Sequence, residues 1–129
     1  MAATGSMAAR SFGQSFRPQH TGLLTHVAFE VVMGSYDGEL SIFNGEGNTA
    51  VSTQPLVIPG AGLIFVALEN PVPVTAGNLY SFRASTMSPE TTSVAQSTNT
   101  YPKGRQYRDG TWVDNRDTIF LIRVAPCAS

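Results

Sequence analysis

The chain has 129 residues, 42% hydrophobic and 13% charged, with a formal net charge of −1. That length predicts one domain around one core, large enough to fold without disulfides or metals. The near-neutral charge excludes the basic footprint of a nucleic-acid binder, and no apolar run approaches the roughly 20 residues of a membrane helix.

Residues 1–10 come first, small and polar, with neither an apolar signal core nor strand alternation. Ala2, Ala3, Thr4, Gly5, Ser6 and Met7 are therefore expected to form an N-terminal arm, flexible or assembly-mediating. The missing signal region favours an intact protein made in a cytoplasm over one trimmed for secretion. From residue 11 onward, apolar and polar residues alternate in short runs, the pattern of half-buried strands. The runs predict strands near 11–17, 24–33, 40–44, 50–58, 63–68, 78–84, 94–101, 111–113 and 118–124, with 50–58 and 94–101 the weakest. Gln14 and Ser15 suit a strand with one wet face. Val27, Phe29 and Val31 share one face of the next strand. Leu63 to Leu68 is apolar on both faces, which predicts a strand covered on both sides. The expected core contains Phe16, Phe29, Ile42, Phe65, Phe82 and Phe120. Residues 84–100, dominated by Ser and Thr, read as a long loop.

Turn signals separate these runs: Gly34 to Gly38, Asn44 to Asn48, Pro59 to Gly62, Ala76 to Asn78 and Asp109-Gly110. Glycines and prolines interrupt every window with helical periodicity. The predicted fold is all-β: a two-sheet antiparallel β-sandwich of jelly-roll type, with eight to nine short strands over residues 11–125 and a tail at 126–129. Cys127, the only cysteine, lies in that tail as an inert thiol.

The residues capable of chemistry are scattered. His20 and His26 have no nucleophile-elbow context near Ser15 or Asp37, so no catalytic residue is predicted. Two histidines and a tail cysteine do not make a zinc site. Asp109, Asp114, Asn115 and Asp117 are oxygen donors of the kind Ca²⁺ uses, but their spacing is that of turn residues. No metal or cofactor is expected. The densest cluster is Tyr101, Arg105, Tyr107, Arg108 and Trp112, a candidate recognition surface. Asp109-Gly110 is a two-residue hairpin signal that brings Tyr107 toward Trp112. Such a surface can stack a sugar ring while charged donors bond its hydroxyls, or anchor a protein neighbour. The alternative is that Trp112 plugs one end of the sandwich.

Several short pieces, in order, resemble a known family: Gly13-Gln14-Ser15-Phe16, Gly22-Leu23-Leu24-Thr25, Leu40 to Gly45, Pro73 to Tyr80, Tyr101-Pro102-Lys103-Gly104, Asp109 to Trp112, and Asp117 to Val124. They are similar to jelly-roll modules that recur in bacterial secreted multidomain proteins and in phage virion proteins. Such modules resemble carbohydrate-binding sandwiches and have no single established activity; with no active-site pattern in the sequence, a non-enzymatic protein is expected. Its standalone form and the arm at 1–10 point to a particle protein, most concretely a phage decoration or accessory virion protein, whose partners are copies of itself or capsid subunits. The alternative is an extracellular carbohydrate-binding module whose partner is a glycan.

Overall fold

Strand formation follows from side chains that pack on a pleated surface, where β-branched and aromatic residues fit best. The computed structural model describes residues 5–9, 11–47, 49–85, 92–97, 104–113, 117–118 and 120–126. In chain order its strands are β1 (Gly5–Ala9), β2 (Ser11–Phe16), β3 (Gly22–Met33), β4 (Tyr36–Asn44), β5 (Ala50–Ile58) and β6 (Gly62–Val74). They continue with β7 (Tyr80–Ser85), β8 (Thr92–Ser97), β9 (Gln106–Arg108), β10 (Thr111–Val113), β11 (Asp117–Thr118) and β12 (Phe120–Ala125). Two six-stranded antiparallel sheets result. The first runs β1-β8-β3-β12, with β11 on β8 and β6 on β3; the second runs β10-β9-β2-β7-β4-β5. The chain passes from one sheet to the other at most of its connections, as expected for a two-sheet sandwich with jelly-roll winding.

Between the sheets lies an aromatic core. Phe12, Phe16 and Phe82 reach in from the second sheet and Phe29 from the first, all fully buried. Phe12 meets Phe29 edge-on at 5.1 Å between centroids, and Phe29 stacks on Phe82 at 6.2 Å. Phe120 is half-buried and packs on Phe16 and Phe82 at 6.2 and 6.1 Å. Such ring pairs contribute about 0.5–1.5 kcal/mol each beyond the area they bury.

Polar side chains tie the sheets together at their margins. The Gln14 amide donates to Asp117 Oδ1 at 2.9 Å and accepts from the Thr118 backbone N–H at 2.8 Å. The Thr118 hydroxyl donates to the Gly13 carbonyl at 2.9 Å. Gln54 of β5 does the same work for β6. Its amide donates to the Ala67 carbonyl at 2.9 Å and accepts from the Glu69 N–H at 2.8 Å, filling that strand's free edge as a neighbouring strand would.

Four expectations need correction. Phe65 is 59% exposed, because β6 alternates Val66 and Leu68 inward with Leu63 and Phe65 outward. It belongs to an antiparallel sheet with one uncovered face, and an apolar run alone does not distinguish that from two-sided cover. Gln14 and Ser15 are fully buried rather than wet. Gly5, Ser6 and Met7 belong to β1, which pairs with β8 from Gly5↔Gln96 to Ala9↔Thr92. Gly, Ser and Ala carry too little apolar contrast to show strand alternation, and backbone bonds hold the pair. The expected loop at 84–100 likewise contains β8, which overlaps the weak strand expected at 94–101. Ala2, Ala3 and Thr4 lie outside the described residues.

Core and outer-face phenylalanines should therefore differ sharply in denaturant melts. Phe29→Ala is expected to cost about 3–5 kcal/mol, and Phe65→Ser to change stability by no more than about 0.5 kcal/mol.

Candidate functional site

The outer face of the second sheet is built around one row of residues. Strand register places Trp112 beside Tyr107, Tyr107 beside Gly13, Gly13 beside Arg83, and Arg83 beside Ser41. The Tyr107–Trp112 pair comes from the β9–β10 hairpin. Asp109 and Gly110 form its turn with φ of 44° and 88°, the positive angles that a tight two-residue turn requires. Asp109 also anchors the turn to β2: its N–H donates to the Ser11 carbonyl at 2.9 Å, and its Oδ1 accepts from the Ser11 N–H at 3.0 Å. The Tyr107 and Trp112 rings meet edge to face, with centroids 5.1 Å apart.

Gly13 holds the centre of the row because it has no side chain; a Cβ there would collide with the Phe82 carbonyl oxygen. Into the space it leaves comes Arg83. Its guanidinium carbon lies 4.0 Å from the Phe43 ring centroid, 4.6 Å from Tyr107 and 5.1 Å from Trp112. It also donates to the Gly47 carbonyl. Burial draws the Arg83 guanidinium below its ordinary pKa, while Tyr107 and Glu46 pull it the other way. A guanidinium stays protonated inside proteins, so Arg83 is a cation among three aromatic rings.

The β4–β5 turn folds over this face and brings Glu46 to Arg105. Arg105 Nη2 donates to Oε1 at 2.8 Å, and Arg105 Nε donates to Oε1 at 3.0 Å and Oε2 at 3.1 Å. The Ser15 hydroxyl donates to Oε2 at 2.8 Å, and the Trp112 indole N–H donates to the Glu46 carbonyl at 3.2 Å. Ser15 and Arg105 also bond each other directly: the Arg105 N–H donates to Ser15 Oγ at 2.8 Å, the Ser15 N–H donates to the Arg105 carbonyl at 2.9 Å, and Ser15 Oγ lies 3.3 Å from that carbonyl. The side chains of Arg105 and Glu46 keep 36% and 22% of their surface, so both still face solvent. The result is a half-exposed aromatic pair beside a planar cation–carboxylate pair. A sugar ring needs that combination: an apolar face to lie on, and fixed donors and acceptors for its hydroxyls.

Arg105, Tyr107 and Trp112 of the sequence cluster are thus brought together. Arg108 is not. It pairs with Phe12, whose ring lies in the core, so it projects to the opposite side of β9 from Tyr107. Tyr101 lies outside the described residues. Sequence reasoning missed Phe43, Glu46 and Arg83, which come from elements distant in the chain. One signal was available: an arginine at the centre of the apolar strand Tyr80–Ser85, where a charge is expensive unless something receives it.

The expected Ca²⁺ donors that are described serve the fold. Asp109 caps the hairpin, and Asp117 is fully buried against Gln14. Asp114, Asn115 and Cys127 are outside the described residues. Among the described residues, no three His, Cys, Asp or Glu side chains gather as metal ligands.

No protein-family model matches the chain, and no curated protein matches its sequence. Solved structures do match its fold. One contains the cysteine protease and lectin-like domains of Cwp84, a surface-layer-associated protein of Clostridium difficile. It aligns at TM-score 0.58 and 11% identity, over 89% of this chain and 32% of that one. Another is a single-substitution variant of the clostridial cysteine protease Cwp84 after propeptide cleavage, at TM-score 0.62 and 11% identity, over 92% and 37%. The chain spans about a third of the length of these structures. At this identity the likeness shows the fold alone.

Removing the carboxylate that gathers the site should loosen it. Glu46→Ala is expected to lower stability by about 1–3 kcal/mol in denaturant melts, since it removes the carboxylate to which Ser15 and Arg105 both donate.

Proposed function

We propose that this domain is a non-catalytic carbohydrate-binding module, and that a glycan binds the outer face of the second sheet at Trp112 and Tyr107. The observation that carries the reading is the half-exposed Tyr107–Trp112 pair beside the solvent-facing Arg105–Glu46 pair. A pyranose stacks its C–H face on the indole, while Arg105 donates to one hydroxyl and Glu46 accepts from the next. Both groups are fixed before a ligand arrives, so little side-chain entropy is lost on binding. Glu46 is committed to Arg105 and Ser15, which suits recognition better than proton transfer.

The fold comparison supports the same reading. Of the two domains named for Cwp84, a cysteine protease and a lectin-like domain, an all-β sandwich covering a third of the chain corresponds to the lectin-like one. Both matched structures come from a surface-layer protease of a bacterium, which favours a glycan-binding module acting outside the cell over a phage decoration protein.

A glycan array of the wild type, repeated with Trp112→Ala and Arg105→Gln, tests the proposal. The wild type should retain neutral oligosaccharides, and each variant should bind them at least tenfold more weakly. A thermal melt alongside should show both variants folded. Unchanged array binding by folded Trp112→Ala would sink the reading.

A further inference from the structure

The outer face of the first sheet carries a groove that the proposed site does not use. Strand register sets Leu121, Ala28 and Phe65 in one row across β12, β3 and β6, and Arg123, His26 and Ala67 in the next. Ala28 is fully buried and contributes only a methyl group, whereas Leu121 and Phe65 stand up on either side, 55% and 59% exposed. The groove encloses about 510 Å³ and is lined by His26, Ala28, Phe65, Leu121, Ile122 and Arg123. That is within the roughly 300–1,000 Å³ of small-ligand sites.

One end of the groove is polar and fixed. Register slips between Leu24 and His26 on β3, and at the same level between Arg123 and Val124 on β12. Bulges of this kind re-aim side chains beside binding sites. At this one, the Thr25 hydroxyl donates to the Arg123 carbonyl at 3.3 Å and lies 2.9 Å from His26 Nδ1. The His26 ring lines the groove, and in either tautomer its other nitrogen can bond a sugar hydroxyl, which both donates and accepts. No carboxylate among the described residues forms an ion pair with Arg123.

From these observations we propose that the groove binds an acidic pyranose, a hexuronate unit of a glycan, independently of the Trp112 face. Its ring C–H face lies on Phe65 over the Ala28 floor, its carboxylate is taken by the Arg123 guanidinium in a forked pair, and a ring hydroxyl hydrogen-bonds His26 Nε2. A neutral sugar leaves Arg123 unmatched, and a fatty acid leaves His26 Nε2 unmatched.

Titration of the ¹⁵N-labelled full chain with oligogalacturonate, with neutral galactan oligomers and with octanoate, followed by amide shifts, tests this assignment. Oligogalacturonate should move the resonances of residues 26–30, 63–67 and 120–124. Galactan and octanoate should bind there at least tenfold more weakly, and Arg123→Gln and Phe65→Ser should each cost the acidic ligand tenfold or more. Because shifts at Trp112 and Tyr107 report the other face, failure of one site is distinguishable from failure of the other. The proposal is overturned if these strands do not respond, if either variant binds oligogalacturonate as the wild type does, or if octanoate matches it. It also falls if the chain sediments as a dimer that Phe65→Ser separates, which would make the face a contact between copies.

Discussion

Gln14 places a primary amide in the interior, where an unmade hydrogen bond costs about 1–3 kcal/mol. Only one position of β2 lets it donate to Asp117 and accept from the Thr118 N–H. A slip by one residue would send the amide to the other face and bring Gly13 or Ser15 into the core. The same position of β2 puts Gly13 between Tyr107 and Arg83, and Ser15 beneath Glu46 and Arg105. The arrangement of the outer face thus depends on a bond made on the inner one. A sandwich of generic apolar strands would tolerate other registers; this one is specified by a polar group that must be satisfied.

The two outer faces then follow different physics. On the second sheet, a buried cation held among Phe43, Tyr107 and Trp112 has to be offset, and the β4–β5 turn supplies Glu46 and the Gly47 carbonyl. That demand draws the turn down over the sheet and presents the aromatic pair with its polar neighbours already in place. On the first sheet nothing comparable is needed. Its outer row is apolar and open, with Thr25 fixing the one polar end.

Much of the frame was legible in the sequence because alternation is a direct print of burial. β2, β3, β5 and β10 fall close to their expected positions, and Phe16, Phe29, Ile42 and Phe82 are in the core. The hairpin at Asp109-Gly110 was legible because few residue pairs accept two positive φ angles. Other features left no local print. β1, and the part of β8 that precedes the weak strand expected at 94–101, are held by backbone bonds among small and hydroxyl-bearing residues, which look alike in a strand or a loop. Phe65 reads like any core phenylalanine; its exposure is decided by which face of β6 the second sheet covers. Glu46 and Arg83 join the site through register over long chain distances, information that a segment of sequence does not contain. Arg108 shows the converse: near Tyr107 in the chain, but on the other face by strand parity.

Trp112 is the only tryptophan in the chain, so its emission reports a single site, the one at which the account places the ligand. The most direct measurement is a fluorescence titration with an oligosaccharide retained on the array, with acrylamide quenching recorded in the free and saturated states. The account predicts a saturable blue shift and reduced quenching of Trp112, both with the same dissociation constant as binding. Saturation by the oligosaccharide with emission and quenching unchanged would contradict it, because the sugar would then lie away from the ring.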